Sequence, residues 1–406
     1  MTGIKLDAEI LLPKDQYAGH WPVIACDQYT QDSAYWEAAS QSVENNPSSL
    51  NIILPEIYLN DNRLSRIEKI HKTMEHYLAD AIFQPPVKGC IYVERSTAWH
   101  PRRRGLVLAI DLEQYEYGAG KEAGLIRPTE ATVPERLPVR MEVRRGASLE
   151  SPHVLVLIND KSDGLFKMLE TMAQAQAKPV YDVELMAKSG HIKGYAITNS
   201  QELAQIEAYF NKLQAQSSFV FAVGDGNHSL ASAKALYEEA KSVRAGSASL
   251  GSASLLRYAL VEIENIYDEG ISFEPIHRVL FGVKEKDAID YIEKAHAEAR
   301  RRGGGGSRLW DIHWDGLGLV TPLLQPVLDA LVETTPGASM DYIHGTEEVE
   351  RIVRERDDAI GLILPPINKD GFFETIEKSG VLPRKSFSMG EADEKRFYYE
   401  CRRLYP

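Results

Sequence analysis

The chain has 406 residues, 44% of them hydrophobic and 26% charged, a composition that excludes extended disorder. At that length one hydrophobic core does not suffice, so two domains, or one domain with large insertions, are expected. The formal net charge of −13 repels polyanions and anionic bilayers, which argues against sequence-independent nucleic-acid binding in the absence of a segregated basic patch.

Cys26, Cys90 and Cys401 form a sparse, odd set with no Cys-x-x-Cys spacing, unlike a disulfide framework or a thiolate zinc site. Residues 1–16 carry Lys5, Asp7, Glu9 and Lys14 and lack the apolar stretch of a signal peptide. No run approaches the roughly 20 apolar residues of a membrane span. The expectation is a cytoplasmic protein with a small-molecule substrate and neither a membrane nor a nucleic-acid partner.

Helical spacing predicts a helix over 33–43 and another over 64–81, where Ile67, Ile70, Met74 and Leu78 share a face. Asp32, three residues before Tyr35, reads as the cap of the first. Strands are expected at 89–93 and 105–111. Over 139–144, Val139-Arg140-Met141-Glu142-Val143-Arg144 alternates apolar and charged residues, which predicts a half-exposed strand with Arg140, Glu142 and Arg144 on one face. The apolar run at 153–158 suits a buried strand. Helices are expected over 165–177 and 200–214, then a strand over 219–223 and a helix over 229–240. Segments 245–254 and 300–307 are rich in small residues and read as loops; no Lys-Ser/Thr follows their glycines, so neither reads as a phosphate loop. A strand at 360–364 and a helix at 372–378 close the series. Mixed strands and helices give an α/β (α+β) class with mixed sheets and packed helices. The Ser/Ala/Gly stretch suggests a division near residue 240, into 1–240 and 241–406.

The most informative segment is Gly224-Asp225-Gly226-Asn227-His228-Ser229, where an apolar strand turns into a helix. Glycines allow positive φ and close approach of a ligand to the backbone. A helix N-terminus offers N–H groups and the positive end of its dipole to an anion. Asp225 and His228 add a carboxylate and an imidazole, a set that suits a phosphorylated ligand, with Asp225 available to hold a metal or accept a proton. The plainer reading is a common Asp-Gly turn followed by a capped helix.

Arg127, Arg136, Arg140, Arg144 and Arg145 crowd one segment of an otherwise acidic chain and form either an anion-binding face or a solvated one with ion-pair partners such as Glu130 and Glu142. His277-Arg278 and Arg384-Lys385-Ser386 are further cationic candidates, each with a structural alternative. Cys26 has no activating base in view, and His153 and His191 belong to no metal-ligand spacing.

The segment GDGNHSLASAK, together with IACDQYTQD (24–32), the run from Arg127 to His153, YDVELMAKSGHIKGY (181–195), FEPIHRVLF (273–281) and LPRKSFSM (382–389), resembles a bacterial and archaeal family known only as domain of unknown function 1015. The Asp-Gly-x-His element is more distantly similar to the phosphate-binding signature of the ParB/sulfiredoxin-like superfamily, which includes nucleotide-hydrolysing partition proteins, sulfiredoxins and kinases of free serine. That resemblance implies a ParB/sulfiredoxin-like core with large additions and a loop that grips nucleotide phosphates. Asn227 stands where sulfiredoxins have their reactive cysteine, and Ser229 where the usual motif has Arg, which removes one phosphate clamp. By position, the resemblance implies Asp27 as a catalytic carboxylate.

These readings converge on a phosphotransferase that uses ATP or ADP with Mg²⁺ on a small hydroxylated metabolite such as free serine. Asp27, Asp225 and His228 are its expected catalytic residues, with Asp225 also on the metal. Gly224, Gly226, Asn227, Ser229, Arg140, Arg144, Arg278 and Lys385 are its expected nucleotide-binding residues. A phosphatase or nucleotidase using the same loop, or a regulatory nucleotide-binding protein, are the alternatives.

Overall fold

In the computed structural model, which describes residues 3–117, 124–132, 135, 137–244, 255–303, 307–316 and 319–405, the apolar runs of the first 265 residues collect into one mixed sheet. Its main strands are β1 (Cys90–Ser96), β2 (Arg103–Asp111), β3 (Ile126–Pro128), β4 (Leu155–Ile158), β5 (Tyr181–Glu184), β6 (His191–Ile197), β7 (Phe221–Asp225) and β8 (Tyr258–Asn265). They lie in the order β5-β6-β1-β2-β8-β4-β7-β3, and Ile4–Lys5 adds to β2. Pairing is antiparallel except between β8 and β4 and between β7 and β3. All of β2 is buried, so its Leu106–Ile110 stretch is a continuous apolar run, as in a strand covered on both faces.

Helices α1 (Ser33–Val43), α2 (Arg63–Ala79), α3 (Leu137–Arg144), α4 (Gly164–Gln174), α5 (Ser200–Gln214) and α6 (Asn227–Arg244) surround this sheet. Asp32 caps α1 by accepting from Tyr35 N at 3.0 Å. The strand expected over 139–144 is helix α3. Six residues of alternation do not distinguish the two periods, and packing of the segment along α6 decides for the helix. On a helix Arg140 and Arg144 share a face and Glu142 turns away from it, where it meets Arg63 at 3.0 Å.

A second sheet is built from β9 (Phe273–Phe281), β10 (Glu298–Arg301), β11 (Leu309–His313), β12 (Ser339–His344), β13 (Ala359–Ile363) and β14 (Phe387–Met389). Its order is β10-β11-β13-β9-β12, with β14 on the other end of β9. Helices α7 (Glu285–Lys294), α8 (Thr321–Thr334), α9 (Thr346–Glu355) and α10 (Phe372–Ser379) accompany it. The loop expected at 300–307 begins later: Arg300 and Arg301 are paired in the β10–β11 hairpin, and 304–306 lie outside the described residues. So does 245–254. The large sheet draws strands from both sides of residue 240, because β8 is central to it.

The C-terminal residues return to the first sheet's end of the molecule. Phe397–Tyr398 pairs with Val23–Ile24, Cys401 bridges to Leu11, and Arg402–Arg403 pairs with Leu149–Glu150. Buried ion pairs lock this return. Arg396 lies 2.7 Å from both Glu262 and Glu400, and Arg402 is 2.7 Å from Glu150. Breaking such a pair leaves an uncompensated buried charge, at about 3–5 kcal/mol. Gly105 makes room for one of them, because a Cβ there would stand 2.0 Å from Glu262 Oε1. Among the described residues no helix is long and apolar enough to cross a membrane.

Candidate functional site

The turn from β7 into α6 is shaped by its two glycines. The register of β7 against β4 slips between Val223 and Asp225, leaving Gly224 as a bulge, a device common beside active sites. A Cβ on Gly224 would lie 2.5 Å from Met389 Sδ, and Gly226 sits at φ +81°, where a side chain is strained. Asn227 then ties the turn down. Its Oδ1 accepts from Thr129 N at 3.1 Å and its Nδ2 donates to Thr129 Oγ1 at 3.2 Å, while that hydroxyl donates to Val223 O at 2.6 Å. Leu230 N donates to Gly226 O at 3.0 Å, the first backbone bond of α6, so Asn227 N and Ser229 N lie in the turn that has no intrahelical acceptor. The positive end of the helix therefore faces a cleft of about 840 Å³, lined by Gly224, Asp225, Gly226, Asn227, His228 and Ser229.

Asp225 Oδ1 accepts from Gly226 N at 2.9 Å, and its Oδ2 faces Lys395 Nζ at 3.4 Å. Lys395 is only 9% exposed, and its backbone is held from beneath. The Arg95 guanidinium donates to the carbonyls of Asp393, Glu394 and Lys395 at 2.6, 2.7 and 2.5 Å, and Arg103 donates to Glu394 O at 2.8 Å. Burial and the neighbouring Arg103 push Arg95 down to about 9.

Asp27 stands on another wall. His153 Nε2 lies 4.0 Å from Asp27 Oδ2, and His153 Nδ1 is 2.7 Å from the Tyr398 hydroxyl, which accepts from Cys26 N at 3.1 Å. Burial would raise the Asp27 carboxyl, but His153, the Gln28 amide and Lys395 outweigh it and hold the group below its ordinary value. Glu130 shifts the other way. Burial raises it against the lowering influence of the Lys385 amide and ammonium, and the Asp225 charge adds to the rise.

Of the expected cations, Arg140 and Lys385 line the cleft, joined by Arg384 and Arg63. Arg140 is ion-paired with Glu56, and Lys385 N donates to Glu130 Oε1 at 3.2 Å. Two expected ligands lie elsewhere. Arg144 pairs with buried Glu150 in an adjoining pocket. Arg278 is 1% exposed, donates to Gln325 at 2.8 Å and to Ile276 O at 2.6 Å, and packs over Tyr342. Its closest approach to the site is a bond of 3.1 Å to Lys385 O, which makes it a prop for the Arg384–Lys385 turn rather than a phosphate ligand. Arg127 lies over Phe219 and Arg145 pairs with Glu239, while Arg136 is outside the described residues. His191 pairs with Asp182 at 2.6 Å on the surface of the large sheet.

The metal role expected of Asp225 meets a physical objection. Both its oxygens have protein partners, and Lys395 stands where a cation would. Among the described residues no group of three or more His, Cys, Asp or Glu side chains is arranged to hold a metal. These side chains do not make a resident Mg²⁺ site. Burial raises the Cys26 thiol to about 12, so it is no nucleophile. Sequence reasoning missed Lys395 outright. It sits in a run of charges, Glu391 to Arg396, that reads like any solvated turn, and only pairing of the next two residues with Val23–Ile24 brings it inward.

Comparison with known proteins gives one family and a few distant structures. No curated protein matches the chain. A conserved hypothetical protein from Pyrococcus furiosus is similar at 13% identity and a TM-score of 0.34, over 73% of this chain and 94% of that one. A free serine kinase in complex with AMP is similar at 12% identity and a TM-score of 0.37, over 72% of this chain and 90% of that one. Residues 8–370 match the family described as "Protein of unknown function (DUF1015)", and the chain belongs to that family.

Proposed function

We propose that this cleft transfers a phosphoryl group from ATP or ADP to the hydroxyl of a small metabolite such as free serine, the activity implied by the ParB/sulfiredoxin-like resemblance of its loop. One observation carries the reading. Lys395 is paired with Asp225 of the helix-terminal loop and is near enough to Asp27 to lower its carboxyl, so a phosphate-type turn and a base adjoin one buried cation. Phosphoryl transfer demands little beyond positioning and charge neutralisation. Backbone N–H groups of the loop and His228 would hold phosphate oxygens. Lys395, Lys385, Arg384 and Arg140 would neutralise the charge that develops. Asp27, ionised at neutral pH and steadied by His153, takes the hydroxyl proton as the acceptor oxygen bonds to phosphorus and the bond to the leaving phosphate breaks. A Mg²⁺ ion arriving with the nucleotide would add charge neutralisation, and no step above depends on it.

The test is thermal stability against ATP, ADP, GTP and CTP, with and without Mg²⁺, for wild type, Asp225→Ala, His228→Ala and Lys395→Met. A nucleotide at 100 times its dissociation constant adds about 2.7 kcal/mol. Stabilisation by ATP or ADP that is lost in the variants supports the site, and ³¹P NMR with serine then separates a phosphoester product from inorganic phosphate. Failure of every nucleotide to stabilise the wild type removes the proposal.

A further inference from the structure

Beside the polar cleft lies a second pocket of about 140 Å³ with a different lining. Ile52, Ile53, Leu54, Met74, Ala147 and Leu149 form its walls, all of them buried. Its charged members are largely engaged with one another: Glu150 is ion-paired with Arg144 and with Arg402. One donor is left over, because Arg144 Nε is buried without an acceptor among the described residues. Glu56, Arg140, His153 and Ser229 line both this pocket and the polar cleft, so the two spaces adjoin along a common wall.

We infer that this pocket takes the carbon body of the acceptor, which makes the substrate an alcohol bearing a compact apolar group, with room for a single hydrogen-bond acceptor against Arg144. The inference rests on the phosphotransfer reading above and narrows its substrate from small hydroxylated metabolites at large to apolar alcohols, away from free serine with its ammonium and carboxylate. His153 sets the geometry. Its Nε2 faces Asp27 while its ring also borders the apolar pocket, so a molecule with its hydroxyl against Asp27 extends its carbons past the imidazole. Size sets the limit. A cavity of about 150 Å³ lined by aliphatic side chains holds a benzene ring, so this one accommodates about six carbons. A strongly polar acceptor would set its own groups against these six apolar side chains, with only the polar residues along the remaining walls to pair with them, which is unfavourable.

Two methionines make the test direct. Met74 lines the apolar pocket and Met389 lines the polar cleft. In the full chain labelled at its eight methionine methyl groups, Met74→Leu and Met389→Leu assign the two signals. The probes are the straight-chain alcohols from ethanol to hexanol, with glycerol as the polar comparator. The alcohols should shift the Met74 signal, with affinity rising about fourfold per methylene up to about six carbons, and glycerol should not. Ala147→Leu, which fills the pocket, should abolish the Met74 response; Val143→Phe does the same from a half-buried position if the first variant folds poorly. Absence of a Met74 shift, or a shift that survives both variants, overturns the inference. Nucleotide is read separately on Met389: silence there toward ATP and ADP removes the phosphotransfer reading, whatever Met74 reports.

Discussion

Replacing Asn227 with alanine tests whether the phosphate-type turn is anchored as described. The substitution deletes two hydrogen bonds to Thr129, worth about 1 kcal/mol each. Thr129 is fully buried, so its N–H is left without a partner, at a further cost of about 1–3 kcal/mol. The expected loss is therefore about 3–5 kcal/mol, together with, on the proposed function, loss of nucleotide binding through a loosened turn. Asn227→Asp sharpens the argument. It preserves shape and the acceptor for Thr129 N, but its second oxygen faces a hydroxyl that already gives its proton to Val223 O. Two acceptors then meet in a buried space, and the variant should be destabilised at pH 7 and recover as the aspartate protonates in acid. Urea unfolding followed by circular dichroism and tryptophan fluorescence measures both, read at the transition that reports the large sheet. A loss below about 0.5 kcal/mol in Asn227→Ala, or wild-type stability of Asn227→Asp at pH 7, would refute the anchor.

Other predictions follow from the same geometry. Gly224→Ala drives a Cβ into Met389 Sδ and should destabilise by about 1–3 kcal/mol, with part of that recovered in the double variant Gly224→Ala/Met389→Ala, as thermal melts would reveal. Asp27, held below its ordinary value, contributes stability that is complete above about pH 4 and lost as pH falls through its folded value. Asp27→Asn should therefore flatten part of the acid limb of a stability-versus-pH curve and, on the proposed function, abolish phosphotransfer. Glu130, raised by burial, lowers stability as pH climbs from its ordinary value through its folded one. Glu130→Gln, which keeps an acceptor for Lys385 N, should be more stable than wild type at pH 7 and equal to it below about pH 4. Burial raises Cys26, Cys90 and Cys401 each to about 12, so a thiol reagent at pH 8 should label none in the native chain and all three in urea.

The parts of the site legible in the sequence are those whose chemistry is local. The strand–glycine–helix turn is where the pattern put it, with the strand shifted two residues later and the helix beginning two earlier, because apolar run, glycines and helical spacing all lie within twenty residues. Segment 139–144 misled because alternation over so short a span fits a strand or one face of a helix, and α6 chooses between them. Arg278 misled for a different reason. A guanidinium looks the same whether it meets a phosphate or, as here, a glutamine and two backbone carbonyls. Lys395 and the pairing of His153 with Tyr398 are invisible locally, since partners 170 and 245 residues apart meet only through tertiary structure.

The pairing of Phe397–Tyr398 with Val23–Ile24 has a consequence for how the protein is made. A ribosome releases the Asp27 wall first and the loop of α6 some two hundred residues later, yet neither has Lys395 or the Tyr398 hydroxyl until residues 395–398 have left the exit tunnel. Through all of that synthesis Glu262, on the central strand β8, waits without Arg396. Nascent chains halted short of residue 396 should therefore be good clients for chaperones and proteases, and the cleft would be completed in a single step when Phe397–Tyr398 docks.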